Sequence, residues 1–517
     1  MVMTGETGRD TPKRPAFGLL LALAAATVIV HALVGGRYGF HRDELATLDD
    51  ARHLAWGYVA YPPVTPFFGW LSLQLFGTSL SGFRFFASLA GGVAIVLTGL
   101  MARELGGGRG EQLFAACAVT PMVIATGTLM QYVSFDYLAW VAVAFFMARL
   151  CRTNDARWWL AVGAAIGFGM LSKYSMVFLV AGIAVGVIGG ELRAHLRSKW
   201  LWLGTALAIL IFLPNLLWQL RHDFISLQFL QHIHARDVRI GRTKDFLPDQ
   251  LTLTFFALPV ALCGLLFYFS SYGGRRFRVL GWMFVVPFVL FVLGKGRGYY
   301  MAAGYPTLYA GGAVLLAAWR SHLARPWRML TDAIGWTAIT ANIILFGALF
   351  LPIAPVNSPW WHRMAATDDD IKEEIGWQEL AETVARIRDV LPPEDRTRVR
   401  ILAGNYGEAG AINLYGPALG LPPVICPVNS FWERGYGDPP PELLIVLGSS
   451  REDLEDKFDS CELVGRITNR ENVPNEETTR HPDIFLCRHL RGDWSAIWAK
   501  VRRFGWGFDF YRFRGAP

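Results

Sequence analysis

The segment YGFHRDELATLDDARHLAWGYVAYPP, residues 38–63, combines a cluster of acids and bases with a closing proline pair. It follows an apolar run at 16–36, which is long enough to cross a bilayer because a spanning helix takes about 20 residues. Within 44–58, apolar residues recur at helical spacing while Asp49 and Asp50 take the other side. This pattern predicts a helix that lies along the membrane interface and ends before the prolines.

The composition of the whole chain is that of a polytopic membrane protein. Of 517 residues, 53% are hydrophobic and 18% are charged, which is outside the usual range of soluble domains. The net charge of +7 comes from short basic clusters between apolar runs, so membrane topology explains it better than nucleic-acid binding does. The sequence has no Walker loop, no GxGxxG motif ahead of a soluble βαβ unit and no CxxC pair, so nucleotide-driven and redox chemistry have no support.

Apolar runs along the chain predict a mainly α membrane bundle of about eleven transmembrane helices. After 16–36 they lie at 82–102, 111–129, 135–150, 158–172, 175–190, 200–219, 251–270, 279–293, 301–319 and 330–352. Basic clusters fall in alternate connections, as the positive-inside rule requires, which puts residues 1–15 in the cytoplasm. In the same count, the membrane domain is 16–352, and its loops 37–81 and 221–250 lie on the outer face of the inner or plasma membrane.

The segment 353–517 is charged and rich in proline, and it predicts a small extracytoplasmic α/β domain. Within it, IGWQELAETVARIRDVL has apolar residues at helical spacing, and RVRILAGNY and ELLIVLGSS are short β-like runs that end in glycine-containing turns. Cys426, Cys461 and Cys487 lie in this segment. One disulfide is therefore possible, and the sequence leaves its pairing open.

Two neighbouring carboxylates, Asp43 and Glu44, open the predicted interface helix. Free backbone N–H groups and the helix dipole stabilise carboxylates at this position, so a helix cap is one interpretation of the pair. Capping needs only one of the two residues. The second carboxylate is then available for chemistry.

The order of features around this pair resembles glycosyltransferase family 39, which includes the protein O-mannosyltransferases and the lipid A aminoarabinose transferase. The pattern in HRDELATLDDARHLAWGYVAYPPVTPFFGWLSLQLFGTSLSGFRFFASLAGG is an Asp-Glu pair, an interface helix, a Pro-Pro pair, LFG and a small-residue helix. Later matches are SFDYLAWVAVAF, GFGMLSKYSMVFL, LPNLLWQLRHDF and GKGRGYYMAAGYP, so the likeness runs from about Tyr38 to Pro306. In the C-terminal segment, GNYGEAGAINLYG and LPPVICPVNSFW are similar to the tail of a bacterial subgroup.

This resemblance implies a GT-C fold and transfer of a sugar from a polyprenyl-phosphate carrier to an acceptor hydroxyl at the outer membrane face. A single inverting displacement needs a base for the acceptor hydroxyl and cations for the departing phosphate. By family position, Asp43 is the expected base. Glu44 is expected to orient the acceptor or to raise the pKa of Asp43 by like-charge repulsion. The donor sugar, a hexose or a pentose, stays open, as does the acceptor, which is a lipid, a glycan or a protein.

The phosphate-binding residues are expected in the glycine-rich turn GKGRGYY. Relatives place a basic residue just before the Pro-Pro pair, and here that position holds Tyr61. Lys295 and Arg297 can supply the positive charge instead, and Tyr299 and Tyr300 can donate hydrogen bonds. The alternative for this turn is snorkelling of its cations beside an aromatic belt.

Two further residues complete the expected substrate-binding set. Lys173, in a short turn, either binds substrate or snorkels to the interface. Asp136, at the outer end of the fourth predicted helix, is either a helix cap or a second acidic wall of the acceptor site. The loop 221–250 is rich in His and Arg, but its spacing lacks a convincing ligand set, so no metal cofactor is predicted. A solvated loop that closes over substrate fits better, and its basic residues are expected to help attract the anionic carrier, namely Arg236, Arg239, Arg242 and Lys244.

A flippase or transporter of lipid-linked sugars is the competing hypothesis, because it would share the helices and the interfacial cations. Transporters keep ionisable groups near the bilayer midplane and often have two related halves. Here the polar residues gather at the outer edge, and no second half repeats the first. The sequence therefore favours an enzyme whose partners are a polyprenyl-phosphate sugar, an acceptor and membrane lipids.

Overall fold

Residues 13–505 are described by the structure, a computed structural model, and they form a helical bundle with a small α/β domain at one end. The helices of the bundle and its connections are α1 Phe17–Val34, α2 Arg42–Arg52, α3 Val64–Phe76, α4 Leu80–Glu104, α5 Arg109–Thr126, α6 Tyr132–Thr153, α7 Trp158–Met170, α8 Met176–Ile188, α9 Lys199–Arg221, α10 Ile225–Arg239, α11 Phe246–Thr254, α12 Leu258–Ser270, α13 Arg278–Leu293, α14 Tyr305–Ser321 and α15 Arg325–Phe350. Residues 1–12 of the predicted cytoplasmic segment and 506–517 of the predicted outer domain lie outside the described residues.

The number of membrane spans is lower than the sequence predicted. Eight helices of the described chain are long and apolar enough to cross a membrane, or nine if the bent pair Met176–Ile188 and Glu191–Arg197 forms one span. All of the predicted apolar runs are helical, but α7 and α8 have only 13 residues each. At 1.5 Å per residue they reach about 20 Å, short of the roughly 30 Å hydrocarbon core. Helix α5 starts with Arg109 and also carries Glu111 in its first turn, which reduces its apolar length.

Glycine residues allow the short helix α7 to pack tightly on its neighbour α9. Gly163 of α7 faces Gly204 of α9, and a Cβ on Gly163 would lie 2.0 Å from the Gly204 carbonyl oxygen. Small residues let membrane helices approach closely enough for backbone contact. The short α7 is thereby held against the long α9.

The two ends of the bundle carry different charged groups. At one end, the buried Glu104 pairs with Arg149 (3.2 Å) and also with Arg152, and Arg103 donates a hydrogen bond to the carbonyl of Lys13. These basic residues belong to the connections that the sequence assigned to the cytoplasm. The α/β domain and the segment 38–63 lie together at the opposite end, since α2 packs against that domain.

The C-terminal segment forms the small α/β domain that was predicted, and its five strands make one mixed sheet. Its elements are α16 Pro359–Thr367, α17 Trp377–Asp389, α18 Pro393–Arg398, β1 Arg400–Leu402, α19 Tyr406–Tyr415, β2 Val424–Ile425, α20 Ser430–Glu433, β3 Leu443–Val446, α21 Arg451–Glu455, β4 Phe458–Arg466, α22 Glu476–Thr479, β5 Asp483–Leu490 and α23 Trp494–Val501. The strand order is β2-β1-β3-β5-β4. Strand β1 runs parallel to β2 and β3, and β5 runs antiparallel to β3 and β4. Cys461 and Cys487 form a disulfide between β4 and β5, and Cys426 is a buried free thiol.

Helix α19 of this domain packs directly on α2. A Cβ on Gly410 would lie 2.7 Å from the backbone of Leu45, and one on Gly407 would lie 3.1 Å from the Cβ of Arg42. The polar side of α2 is therefore covered by protein and not by water. Asp49, for example, is 1% exposed and accepts a hydrogen bond from Asn413 of α19 (2.7 Å).

Arg84 connects the bundle, α2 and the C-terminal domain in one buried ion cluster. Its Nη2 lies 2.6 Å from Oε2 of Glu44 and 3.0 Å from Oε2 of Glu374, and its Nε donates to Oε1 of Glu44 (2.9 Å). Its Nη1 donates to the carbonyl of Gly35 at the end of α1 (3.0 Å). A guanidinium can satisfy several acceptors in fixed directions, which suits it to this junction.

Replacing Arg84 by Ala should lower the free energy of unfolding by about 3–5 kcal/mol, because Glu44 and Glu374 would remain buried without their cation. Thermal unfolding of the purified protein in detergent measures the effect. The control is Arg491→Ala, which removes an ion pair with Asp459 between two half-exposed side chains and should cost less than about 1 kcal/mol. Equal stability of the two variants would contradict the proposed junction.

Candidate active site

A cavity of about 550 Å³ lies where the helical bundle meets the C-terminal domain. Its walls come from α2, from the turns before α3, α8 and α14, from α10, and from the C-terminal domain. Polar side chains on the wall include Asp43, Tyr61, Lys173, Arg297, Tyr300 and Tyr406. The structure thus brings together residues from both parts of the chain.

Asp43 lies in the cavity wall at the beginning of α2, and two side chains hold its carboxylate. Tyr406 donates a hydrogen bond to Oδ1 (2.7 Å), and the Gln131 amide donates to Oδ2 (3.2 Å). Helix α2 begins with a capping box in which Glu44 accepts a hydrogen bond from the backbone of His41 (3.0 Å). Glu44 therefore supplies the cap, and the Asp43 carboxylate is available to the cavity.

Glu44 does not line the cavity, although the sequence analysis paired it with Asp43 in catalysis. Its side chain is fully buried, is bound by Arg84, and accepts a further hydrogen bond from the backbone of Met130 (2.8 Å). With these partners it cannot orient an acceptor. The geometry gives Glu44 a structural role.

Lys173 lies in a cage of aromatic rings on the cavity wall. Its Nζ is 5.2 Å from the ring centroid of Tyr132, 5.3 Å from that of Tyr299 and 4.4 Å from that of Tyr300. Cations are attracted to such ring faces. Asp136 of α6 is 3.8 Å from Lys173, so Asp136 is its counter-ion and not a separate acidic wall.

Of the two basic residues in the glycine-rich turn, Lys295 and Arg297, only Arg297 lines the cavity. Arg297 lines the wall, and its Nη2 lies 2.5 Å from the buried Asp237 of α10. Lys295 is exposed and is not part of the lining. Its backbone has a positive φ of 50°, so the chain reverses there and the two side chains of the turn occupy different surroundings.

Tyr61 stands where relatives have a basic residue. On the cavity wall it contacts a second carboxylate, that of Asp50. It donates a hydrogen bond to Oδ2 of Asp50 (2.8 Å), while Arg434 pairs with Oδ1 of Asp50 (2.6 Å) and also with Asp49. Burial raises the pKa of Asp50 to about 7, against the lowering effect of Arg434. Asp50 is thus tied to the C-terminal domain.

The segment 221–250 is helical and forms one side of the cavity, where the sequence predicted a solvated loop. Leu227 and Leu230 of α10 line the cavity and are also 52% and 40% exposed. Arg236 and Arg242, near the end of the same helix, line it as well. On the α10 side of the cavity, an apolar surface formed by Leu227 and Leu230 therefore lies next to a basic surface formed by Arg236 and Arg242.

Several residues of the wall were not predicted from the sequence, because their contacts join distant parts of the chain. Tyr406 reaches Asp43 across 363 positions. It lies in GNYGEAGAINLYG, which the sequence analysis singled out without assigning a role. Gln131 and Tyr132 lie three and two residues before the SFDY motif. For Tyr406, Gln131 and Tyr132, the sequence signal that could have indicated a place in the site was their position in or beside a motif.

The chain is similar to a known protein family over part of its length and to one curated relative over most of it. The family model described as dolichyl-phosphate-mannose-protein mannosyltransferase matches residues 60–218. The lipid A galacturonosyltransferase RgtD of Rhizobium johnstonii is 23% identical over 449 residues, covering 82% of this chain and 89% of that protein. RgtB of the same organism, a lipopolysaccharide core galacturonosyltransferase, is 27% identical over 230 residues, which are 42% of this chain and 45% of that protein.

A solved structure shares the fold across nearly the whole chain. ArnT from Cupriavidus metallidurans, bound to undecaprenyl phosphate, has a TM-score of 0.58 at 16% identity, covering 91% of this chain and 98% of that one. The protein is therefore an integral membrane glycosyltransferase with a GT-C fold. The family model and the curated relatives agree with the resemblance of the sequence motifs to glycosyltransferase family 39, and these findings do not support the flippase hypothesis.

Proposed function

We propose that the protein transfers a uronic acid residue from a polyprenyl-phosphate carrier to a hydroxyl group of a glycolipid, at the outer face of the inner membrane. The observation that carries this proposal is the placement of the Asp43 carboxylate in one cavity with Lys173 and Arg297. A base and two cations are what a single displacement from a phosphate leaving group requires.

In the proposed reaction, Asp43 takes the proton of the acceptor hydroxyl as its oxygen bonds to the anomeric carbon of the donor. The bond between that carbon and the phosphate oxygen breaks, and the electron pair leaves with polyprenyl phosphate. Lys173 and Arg297 offset the charge that develops on the phosphate. Attack from the face opposite the leaving group inverts the anomeric configuration.

The charges on the cavity wall support an acidic sugar. Besides Lys173 and Arg297, the wall includes two further guanidinium groups, those of Arg236 and Arg242 in the α10 region, and Asp237 pairs with Arg236 as well as with Arg297. A hexuronic acid adds one carboxylate, which guanidinium groups bind well. The relatives RgtD and RgtB, named as galacturonosyltransferases, point to the same class of donor.

The apolar part of the wall supports lipid-linked substrates. Leu227 and Leu230 of α10 continue from the cavity to the exposed surface of the protein. Such a surface, next to a basic pocket, suits a ligand with a hydrocarbon chain and an anionic head group. The name of RgtD specifies lipid A as the acceptor of that relative, and we propose an acceptor of this kind here.

Asp43→Asn should abolish sugar transfer while the protein still folds, because the amide keeps the shape of the carboxylate and loses its basicity. The assay is transfer of radiolabelled sugar from a synthetic polyprenyl-phosphate uronate in proteoliposomes that contain lipid A. Asp50→Asn is assayed in parallel, since Asp50 is the other carboxylate of this part of the wall. Full activity of the Asp43 variant with loss of activity in the Asp50 variant would reassign the base to Asp50.

Lys173→Ala and Arg297→Ala should each weaken binding of polyprenyl phosphate by roughly 10- to 100-fold, because a charge-assisted contact is worth about 1.5–3 kcal/mol. Lys295→Ala is the matched control from the same turn and should bind as wild type does, since its side chain is exposed. Titration of the purified variants with polyprenyl phosphate measures the effect. Weak binding by the Lys295 variant alone would return the phosphate site to Lys295.

The outward orientation of the active site can be tested with a topology reporter. A fusion partner that is active only outside the cytoplasm, placed after the C-terminal residue, should be active, because the C-terminal domain forms part of the cavity wall. A second fusion, in the connection between α4 and α5, should be inactive. The reverse pattern would put the cavity on the cytoplasmic side.

A further inference from the structure

The C-terminal domain contributes Tyr406 to the wall of the cavity, and its hydroxyl donates to Oδ1 of Asp43 at 2.7 Å. Tyr406 is the first residue of α19. The tyrosine side chain is 8% exposed, so water competes little for this hydrogen bond. One domain thus supplies the carboxylate, and the other supplies its partner.

The position of Tyr406 is fixed by the packing of α19. Asn405 and Glu408 form a capping box at the start of the helix, and the Asn405 amide also donates to Glu477 (3.1 Å). The close approach of α19 to α2 at Gly407 and Gly410 keeps the helix against the segment that carries Asp43. The tyrosine hydroxyl therefore lies on a rigid element and not on a mobile loop.

Arg42 holds the ring of Tyr406 from the other domain. Its guanidinium carbon lies 5.1 Å from the ring centroid, and the same guanidinium pairs with Glu476 and, at 3.9 Å, with Glu373. Burial and the neighbouring Asp43 carboxylate raise the pKa of Tyr406 well above its ordinary value. The hydroxyl consequently keeps its proton and remains a hydrogen-bond donor.

We infer that Tyr406 is a positioning residue for transfer, which holds the Asp43 carboxylate in the orientation that accepts the proton of the acceptor hydroxyl. This inference rests on the proposed role of Asp43 as the base. With Oδ1 bound to Tyr406 and Oδ2 to Gln131, the carboxylate cannot rotate about its Cβ–Cγ bond without losing both contacts. The C-terminal domain is in this respect part of the catalytic machinery.

Tyr406→Phe removes the hydroxyl and keeps the ring that packs on Arg42. We expect kcat to fall by about 10- to 100-fold, as for other hydrogen bonds to a charged group, with little change in KM for the donor. The acid limb of the pH–rate profile should move to higher pH, because a carboxylate that loses a hydrogen-bond donor holds a proton more tightly. A purely structural role for Tyr406 would leave the profile where it is.

The other titratable groups around Asp43 on the packed elements and the cavity wall stay unchanged in this variant, so they cannot cause such a shift. On the cavity wall they are His41, Arg42, Asp50, Tyr61, Tyr132, Lys173, Tyr174, Arg236, Arg242, Arg297, Tyr300 and Asp370, and Glu44 lies next to Asp43 on α2. Tyr415→Phe is the matched control, since Tyr415 lies on the same helix and packs on the apolar core instead of the cavity. It should keep the wild-type kcat and pH profile.

Thermal unfolding shows whether Tyr406→Phe is folded, and the Asp43→Asn variant separates the two proposals. If Asp43→Asn is inactive while Tyr406→Phe keeps both the wild-type kcat and the wild-type profile, the positioning role is wrong and the base assignment stands. If Asp43→Asn is active, the proposed base is wrong, and any defect of the Phe variant has another cause. The inference is supported if Tyr406→Phe has a lower kcat and a shifted pH–rate profile while its midpoint of thermal unfolding equals that of the wild type.

Discussion

The ion cluster around Arg84 is the contact on which the architecture depends, because one buried guanidinium joins three parts of the chain. Its partners Glu44 and Glu374 come from α2 and from the C-terminal domain, and neither carboxylate could be buried at low cost without a cation beside it. Burial raises the pKa of Glu374 to about 7 even with Arg84 present, which shows how far this junction is removed from water. The cavity exists because these parts are held together around it.

The sequence predicted the individual helices and strands better than the contacts between the bundle and the C-terminal domain. Apolar runs located the membrane helices because hydrophobic length is a local property, and the β-like runs became β1 and β3. The number of spans was too high because the run of α7 is too short for a span and because α5 begins with charged residues that reduce its apolar length. The polar side of α2 appeared to face water, since nothing near it in sequence indicates that α19 and Arg434 cover it.

In the candidate site too, local sequence motifs located the residues but did not predict their contacts with distant parts of the chain. Family position identified Asp43, and the structure places it in a cavity. The neighbouring Glu44 looked equivalent in sequence, but a capping box and Arg84 take up its side chain. Lys295 and Arg297 looked equivalent as well, and only Arg297 has a buried carboxylate, Asp237, to hold it at the wall. The contacts that distinguish the two residues of each pair come from partners far away in sequence. The spacing of residues along the chain therefore could not show which one lines the cavity.

The hydrogen bond between Asp43 and Tyr406 joins residues that are 363 positions apart. Chains are synthesised from the N-terminus, and domains generally fold as units in that order. The bundle helices therefore enter the membrane before α19 has been made, and during that period Asp43 lacks its tyrosine partner and the cavity lacks one wall. A truncated or nascent chain consequently presents an incomplete site to the carrier lipids that surround it. With the roles proposed for Asp43 and Tyr406, the order of biosynthesis by itself delays activity until the last domain has folded.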